Sequence, residues 1–120
     1  MAEKRLNRAR GTEGERAAAE YLESRGAKIL ARNYVCLYGE VDLIAEWGGV
    51  IVFVEVKLRR TARFGRPGEA VGYEKRKKIS RSAAHYLKNT GGSDRRARFD
   101  VIEIKPEGIR HVPSAFDYVI

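Results

Sequence analysis

Cysteine is nearly missing from this chain. Cys36 stands alone, which excludes an internal disulfide and a multi-cysteine zinc site and makes a reducing cytoplasm the expected setting. Histidine is scarce as well. His85 and His111 are far apart, lack metal-ligand spacing, and are expected at the surface. No apolar run approaches the length of a membrane span; residues 50–56 make only a strand-sized segment. The N-terminal MAEKRLNRAR has no apolar h-region, so neither a secretory signal nor a membrane partner is expected.

Acidic residues are also short relative to basic ones. Lys and Arg total 24 against 16 Asp and Glu, a net charge of +8. That balance points to a polyanionic partner, nucleic acid first. Charge alone leaves open plain solubility, or association with ribosomes or a membrane surface. With 120 residues and no repeat, linker or composition break, one domain with a real core is expected. Residues 1–10 read as a loose basic arm and residues 11–120 as the domain.

Thr12 is a plausible N-cap with Glu15 three residues on, so a helix is expected over residues 13–25, ended by Gly26. Its inward stripe holds Ala18, Ala19 and Leu22. At 100° per residue Glu15 falls on the same stripe, one turn earlier. Strands are expected over residues 28–35, 40–46 and 50–58, the last two joined through Trp47-Gly48-Gly49. Residues 59–68 are basic and glycine-bearing, a loop. A second helix starts at Ala70 or Tyr73 and runs to Lys88. Residues 98–104 form a fourth strand and 115–119 a candidate fifth. The order is α-β-β-β-α-β with a possible edge strand.

The chemistry lies in the hairpin of the second and third strands. A two-residue Gly48-Gly49 turn pairs Trp47 with Val50. Counting back sets Ile44 against Phe53, Asp42 against Glu55 and Glu40 against Lys57. A three-residue turn would instead set Asp42 against Val54. In the favoured register two carboxylates stand about 5 Å apart at Cβ, a repulsive arrangement that a divalent cation relieves. Lys57 projects to the face of Glu55, because strand side chains alternate. Asp42 and Glu55 are therefore candidate metal ligands, with the Val56 carbonyl as a further hard oxygen and Glu15 acting through water. Lys57 could orient an attacking water or offset phosphoryl charge. Taken alone, Glu-x-Lys in a strand more often marks a solvated face, and Glu15 could be only a helix-terminal carboxylate. The mutual placement of the four residues carries the case.

Gly39-Glu40-Val41-Asp42-Leu43-Ile44-Ala45 followed by Phe53-Val54-Glu55-Val56-Lys57 resembles the PD-(D/E)xK nuclease superfamily. More narrowly, the chain resembles the small bacterial YraN-type proteins, an uncharacterised family. Gly14-Glu15, Arg32-Asn33-Tyr34, Phe64-Gly65, Glu69-Ala70-Val71 and Arg98-Phe99-Asp100-Val101 extend the match over nearly everything from residue 11 onward. The resemblance implies a restriction-endonuclease-like α/β fold, an αβββαβ core with a mixed sheet flanked by helices. It implies Mg²⁺- or Mn²⁺-dependent hydrolysis of nucleic-acid phosphodiesters, of DNA in preference to RNA, with Glu15, Asp42, Glu55 and Lys57 as catalytic residues. The signature is also similar to archaeal enzymes that cut Holliday junctions, for which a two-fold homodimer would suit the symmetric substrate. Val41 stands where the name-giving proline would be. Ser82 before Tyr86 departs from the Gln-x-x-x-Tyr of some exonuclease branches.

Arg59, Arg60, Arg63 and Arg66, with Lys75, Arg76 and Lys78 on the second helix, flank the proposed site and could track a phosphate backbone. Phe64 or Tyr73 could stack on bases. Lys75 could instead snorkel to solvent, the favoured reading of that position. Asp100 is expected to pair with an arginine, and Trp47 to pack at its turn. Two rivals to a nuclease remain. One is a non-catalytic nucleic-acid-binding protein of the same fold; the other is a basic assembly factor whose carboxylates only hold structure.

Overall fold

The computed structural model describes residues 2–59 and 71–119, with side chains from Glu13 onward. The elements run α1 (Ala2–Ser24), β1 (Lys28–Cys36), β2 (Gly39–Trp47), β3 (Val50–Leu58), α2 (Tyr73–Asn89), β4 (Ala97–Lys105) and β5 (Gly108–Phe116). No helix among the described residues is long and apolar enough to cross a membrane.

Helix α1 begins well before the expected start. The first ten residues are rich in Ala, Glu, Lys, Arg and Leu, all good helix formers, and extending a helix costs far less than nucleating one. Thr12 therefore lies inside α1 instead of capping it, and the segment read as an arm has helical backbone from Ala2. The end is where it was expected. Gly26 takes φ +95°, and the N–H groups of Arg25, Gly26 and Ala27 return to the carbonyls of Leu22 and Glu23.

The strands form one five-stranded mixed sheet in the order β1-β2-β3-β4-β5. β1, β2 and β3 are an antiparallel meander, β3 and β4 are parallel, and β4 and β5 are antiparallel. The parallel step needs a crossover, which α2 supplies. Beside β3, Val52 and Val54 pack with Ala18, Ala19 and Leu22 of α1. The alternate residues Ile51 and Phe53 pack with Ile79, Ala83 and Leu87 of α2. The helices thus cover opposite faces, and β3 is buried on both, which is why it reads as an apolar run rather than an alternation.

β5 differs from expectation. It spans Gly108–Phe116, not residues 115–119, and closes on β4 through Pro106-Glu107 between the paired Lys105 and Gly108. As an edge strand with many exposed positions, it carries no apolar pattern to announce it.

Candidate functional site

The β2–β3 ladder runs from Trp47–Val50 to Leu43–Val54, the register that a Gly48-Gly49 turn dictates. One step further, the strands part. The backbone N–H of Val56 donates to Asp42 Oδ2 at 2.8 Å, a bond that a continued ladder would give to a β2 carbonyl.

The parting has a local cause. Leu43 packs on the α1 face, whereas Val41 packs on the α2 face. Two residues apart on a regular strand they would share a face. The partner strand reverses at the same level. Arg32, opposite Leu43, reaches Glu23 of α1 at 3.9 Å. Tyr34, opposite Val41, places its hydroxyl 2.5 Å from His85 Nδ1 of α2. Between them Asn33 takes φ +50°, a left-handed conformation that asparagine tolerates better than most residues. Asp42 sits at the switch. Its carboxyl interacts with Glu15 from one face and Glu55 from the other.

Glu15 and Glu55 are shielded from water, at 9% and 7% exposed, and Asp42 is half-buried between them. Burial first, then the Glu55 charge, pushes the Asp42 carboxyl up to about 8, against the Val56 N–H that favours its ionised form. At neutral pH, without a cation, Asp42 holds a proton beside Glu55. Glu15 is raised as well, by burial and by Glu40 and Glu55, although Asn33 and Asp42 hydrogen-bond to it. Two ammonium groups meet Glu55 Oε1: Lys57 Nζ at 3.3 Å and Lys75 Nζ in closer contact. Burial and the neighbouring Lys75 hold Lys57 below its ordinary value. Burial, the largest single influence, would lower Lys75 too, but its bonds to Glu55 and Lys57 and the charges of Glu55 and Asp42 together outweigh it and raise Lys75.

The structure therefore brings Glu15, Asp42, Glu55 and Lys57 together. It also corrects several expectations. Lys75 does not reach to solvent alone; from the first turn of α2, part-exposed, it contacts Glu55. Glu40 is opposite Val35 of β1 and lies near Glu15, not Lys57. Arg76 turns inward, its Nε donating to the Val71 carbonyl at 2.7 Å and its guanidinium lying over Phe116. Arg59 is half-buried with Nε 3.6 Å from Glu103. Lys78 is exposed on α2. Arg60, Arg63, Arg66 and Phe64 lie outside the described residues.

Neither histidine is a surface residue. His85 is half-buried between Tyr34 and Tyr38. His111 places Nε2 2.7 Å from Asp100 Oδ2 and Nδ1 3.1 Å from the Tyr21 hydroxyl. Asp100 is fully buried, and it accepts two bonds from Arg98 at 3.0 and 3.1 Å and one from the Ser114 N–H at 2.9 Å. Trp47 stacks on His111, so it packs at its turn. Glu103 was missed altogether. It is fully buried beside Lys57 across the parallel β3–β4 pairing, and Lys105 lies 3.1 Å away. An acid among β4's apolar positions, followed two residues later by lysine, was the available signal.

Among the described residues no three Asp, Glu, His or Cys side chains converge into a ready metal cage. Mg²⁺ does not need one: one or two carboxylates suffice, with water and phosphate completing the shell. Asp42 and Glu55 fit that requirement. They are neighbouring hard oxygen donors, and a bound cation would take the place of the proton that Asp42 keeps.

Fold and site define a mixed α/β protein with a carboxylate–lysine cluster at the parting of its two central strands. The chain belongs to uncharacterised protein family UPF0102, whose model matches residues 14–104. It is 50% identical over 101 residues to a UPF0102 protein of Symbiobacterium thermophilum, covering 84% of this chain and 86% of that one. It is 44% identical over 112 residues to a UPF0102 protein of Clostridioides difficile, covering 92% and 98%.

Proposed function

We propose that the protein is a divalent-metal-dependent nuclease of the PD-(D/E)xK kind, hydrolysing phosphodiester bonds in nucleic acid, DNA in preference to RNA. The observation that carries the reading is the adjoining acids Asp42 and Glu55, Asp42 held by the Val56 N–H and Glu55 met by two lysines. Such a pair is costly in a protein that merely binds a polyanion. The order of elements supports the reading too, since three antiparallel strands, a crossover helix and a parallel strand are what a restriction-endonuclease-like core requires.

Asp42 and Glu55, with the Val56 carbonyl, would hold Mg²⁺ or Mn²⁺. When bound, that cation supplies a water of lowered pKa and positive charge for the phosphate. Asp42 is fixed for the task by the Val56 N–H and gives up its proton. Glu55, released from part of its lysine pairing, keeps Lys57 beside the reacting phosphate. Lys57, partly desolvated, orients the attacking water or neutralises phosphoryl charge. Lys75 stands ready to balance charge as the phosphate turns over. Glu15, on the other face, would act through water.

A second reading draws on one observation: both ammonium groups already satisfy Glu55 without a cation. On that reading the fold only binds nucleic acid. One assay separates the two. Linear, flapped, four-way and RNA substrates are incubated with Mg²⁺ or Mn²⁺ and the protein, Glu55→Ala or Lys57→Ala. Cutting by the unaltered protein alone is expected. No cutting, or equal cutting by all three, sinks the nuclease reading, and tight binding without cutting establishes the other.

A further inference from the structure

The β1–β2 hairpin ends in apolar side chains that stand largely uncovered among the described residues. Leu37 is 90% exposed, Val35 68% and Tyr38 43%. A single exposed apolar residue is ordinary on a protein surface; three within four positions, all at one tip, are not. The tip is also held firmly. Cys36 pairs with Gly39 across the turn. A methyl placed on Gly39 would lie 3.5 Å from Lys78 Cβ and 3.6 Å from Ser82 Oγ, so the turn rests directly on α2. The Tyr38 ring lies 5.9 Å from the ring of His85.

The contacts on α2 fall on one stripe. Lys75 meets Glu55, Lys78 and Ser82 lie beside Gly39, and the His85 ring faces that of Tyr38. At 1.5 Å of rise per residue, the hairpin's seat on α2 runs from about 5 Å beyond Lys75, at Lys78, to about 15 Å, at His85. That is about one to four base steps of a stacked strand at ~3.4 Å each. From Lys75 to Lys88 the helix carries Lys and Arg but no Asp or Glu, with Lys78 and Arg81 exposed. Of the nearby acids, Glu23 pairs with Arg32, Glu40 is exposed but lies near Glu15, and Glu74 stands only at the start of α2, before Lys75. An anionic strand lying along α2 would thus meet positive charge from the site to the hairpin, then an apolar tip.

We propose that the tip of the β1–β2 hairpin, Leu37 with Val35 and Tyr38, is a wedge that stacks on unpaired bases at an interruption in a duplex. An apolar side chain inserted at a base step must unstack it, at a cost that is least where the duplex is already broken. The substrate class is therefore a gapped, flapped or branched duplex rather than an intact one. The inference rests on the nucleic-acid part of the proposed function, and it does not require that the site cut.

The test is equilibrium binding of the full chain in EDTA to a fluorescent intact duplex and to the same duplex with a short gap. The unaltered protein prefers the gapped duplex by about tenfold or more, the scale of one base stacked on a side chain. Leu37→Ser, at a site too exposed to unfold the protein, loses that preference and keeps its affinity for the intact duplex. Leu37→Phe restores the preference. Equal affinity of the unaltered protein for both duplexes overturns the proposal. So does a preference that survives in Leu37→Ser, or an equal loss on both duplexes. A dimer that Leu37→Ser converts to monomers in sedimentation overturns it as well, by assigning the tip to a second copy. The two readings fail separately. Cutting with selectivity unchanged in Leu37→Ser removes the wedge and leaves the nuclease; selectivity lost in Leu37→Ser without any cutting by the unaltered protein does the reverse.

Discussion

Val56 gives its backbone N–H to the side chain of Asp42 at 2.8 Å, and this one bond stands at the point where the two central strands separate. It holds the Asp42 carboxyl in the sheet's own plane, between an acid from each face. A carboxyl held there has no freedom to turn away from Glu55. Burial first, then the Glu55 charge, keeps a proton on it, against the pull of the Val56 N–H.

Stability of the metal-free protein should fall as pH rises from about 4 to 8. Asp42 titrates at 3.8 when unperturbed and at about 8 in the fold. Between those values the folded state binds more protons than the unfolded one, so raising the pH costs stability. Asp42→Asn can still accept the Val56 N–H, and it should remove this slope. At pH 8 the variant should be more stable than the parent by more than ~1.4 kcal/mol, the worth of a single pKa unit. Urea denaturation across pH checks both statements, and a parallel pH dependence in the two proteins would refute them.

Cation binding should release a proton. Near pH 7 Asp42 is protonated, and a ligating carboxylate must be ionised. Calorimetric titration of Mn²⁺ in two buffers of different ionisation enthalpy should show release of about one proton at neutral pH. Well above the Asp42 value of about 8 the release should vanish.

Lys57 and Lys75 should separate in their kinetic effects. Lys57→Ala should lower the cleavage rate by about 10²–10³, the usual loss for one electrostatic stabiliser. Lys75→Ala should cost less. Because Lys75 helps hold Lys57 below its ordinary value, removing it should move the alkaline limb of the pH–rate profile upward. A profile of unchanged shape would leave Lys75 only a structural partner of Glu55.

Asp100→Ala should be destabilising, by about 1–3 kcal/mol, because it leaves the Ser114 N–H and the half-buried Arg98 without their acceptor. Burial would raise Asp100, but His111, the Ser114 N–H and Arg98 together hold it below its ordinary value. Its contribution is therefore present above pH 3.8 and lost as pH falls through its lower folded value. Thermal melts of the variant at neutral and acid pH give the comparison.

Gly14→Ala should stabilise the protein by roughly 0.5–1 kcal/mol, the usual gain for removing a mid-helix glycine. The added methyl would meet Val56 Cγ1 at 3.5 Å and Leu58 Cβ at 3.6 Å, ordinary contact distances. A lower melting temperature would show that α1 cannot tolerate even this at its closest approach to β3.

Much of the site was legible because it rests on local rules. Two adjacent glycines fixed the hairpin register, and helical spacing put Glu15 on the buried stripe of Ala18 and Leu22. Lys75 was not legible, because its reach depends on where α2 docks on β3, a tertiary fact. The reversal at Asn33 went unseen since no glycine marks it. His111 was misread because its partners, Asp100 and Tyr21, come from β4 and α1, and β5 itself is hidden by its exposure. Strong helix formers ahead of Thr12 outweighed a plausible cap.

The reversal at Asn33 has one more effect. β1 is an outer strand of the sheet, and β5, the other outer strand, carries a similar interruption: Pro113 lacks an N–H and Ser114 takes φ +49°. A register shift lies near each, between Ile29 and Ala31 on β1 and, on β4 opposite Ser114, between Phe99 and Val101. Neither border of the sheet offers an unbroken row of free peptide groups to another strand. The bend that delivers Asp42 to its neighbours thus also guards the molecule against growing, edge to edge, into a fibre.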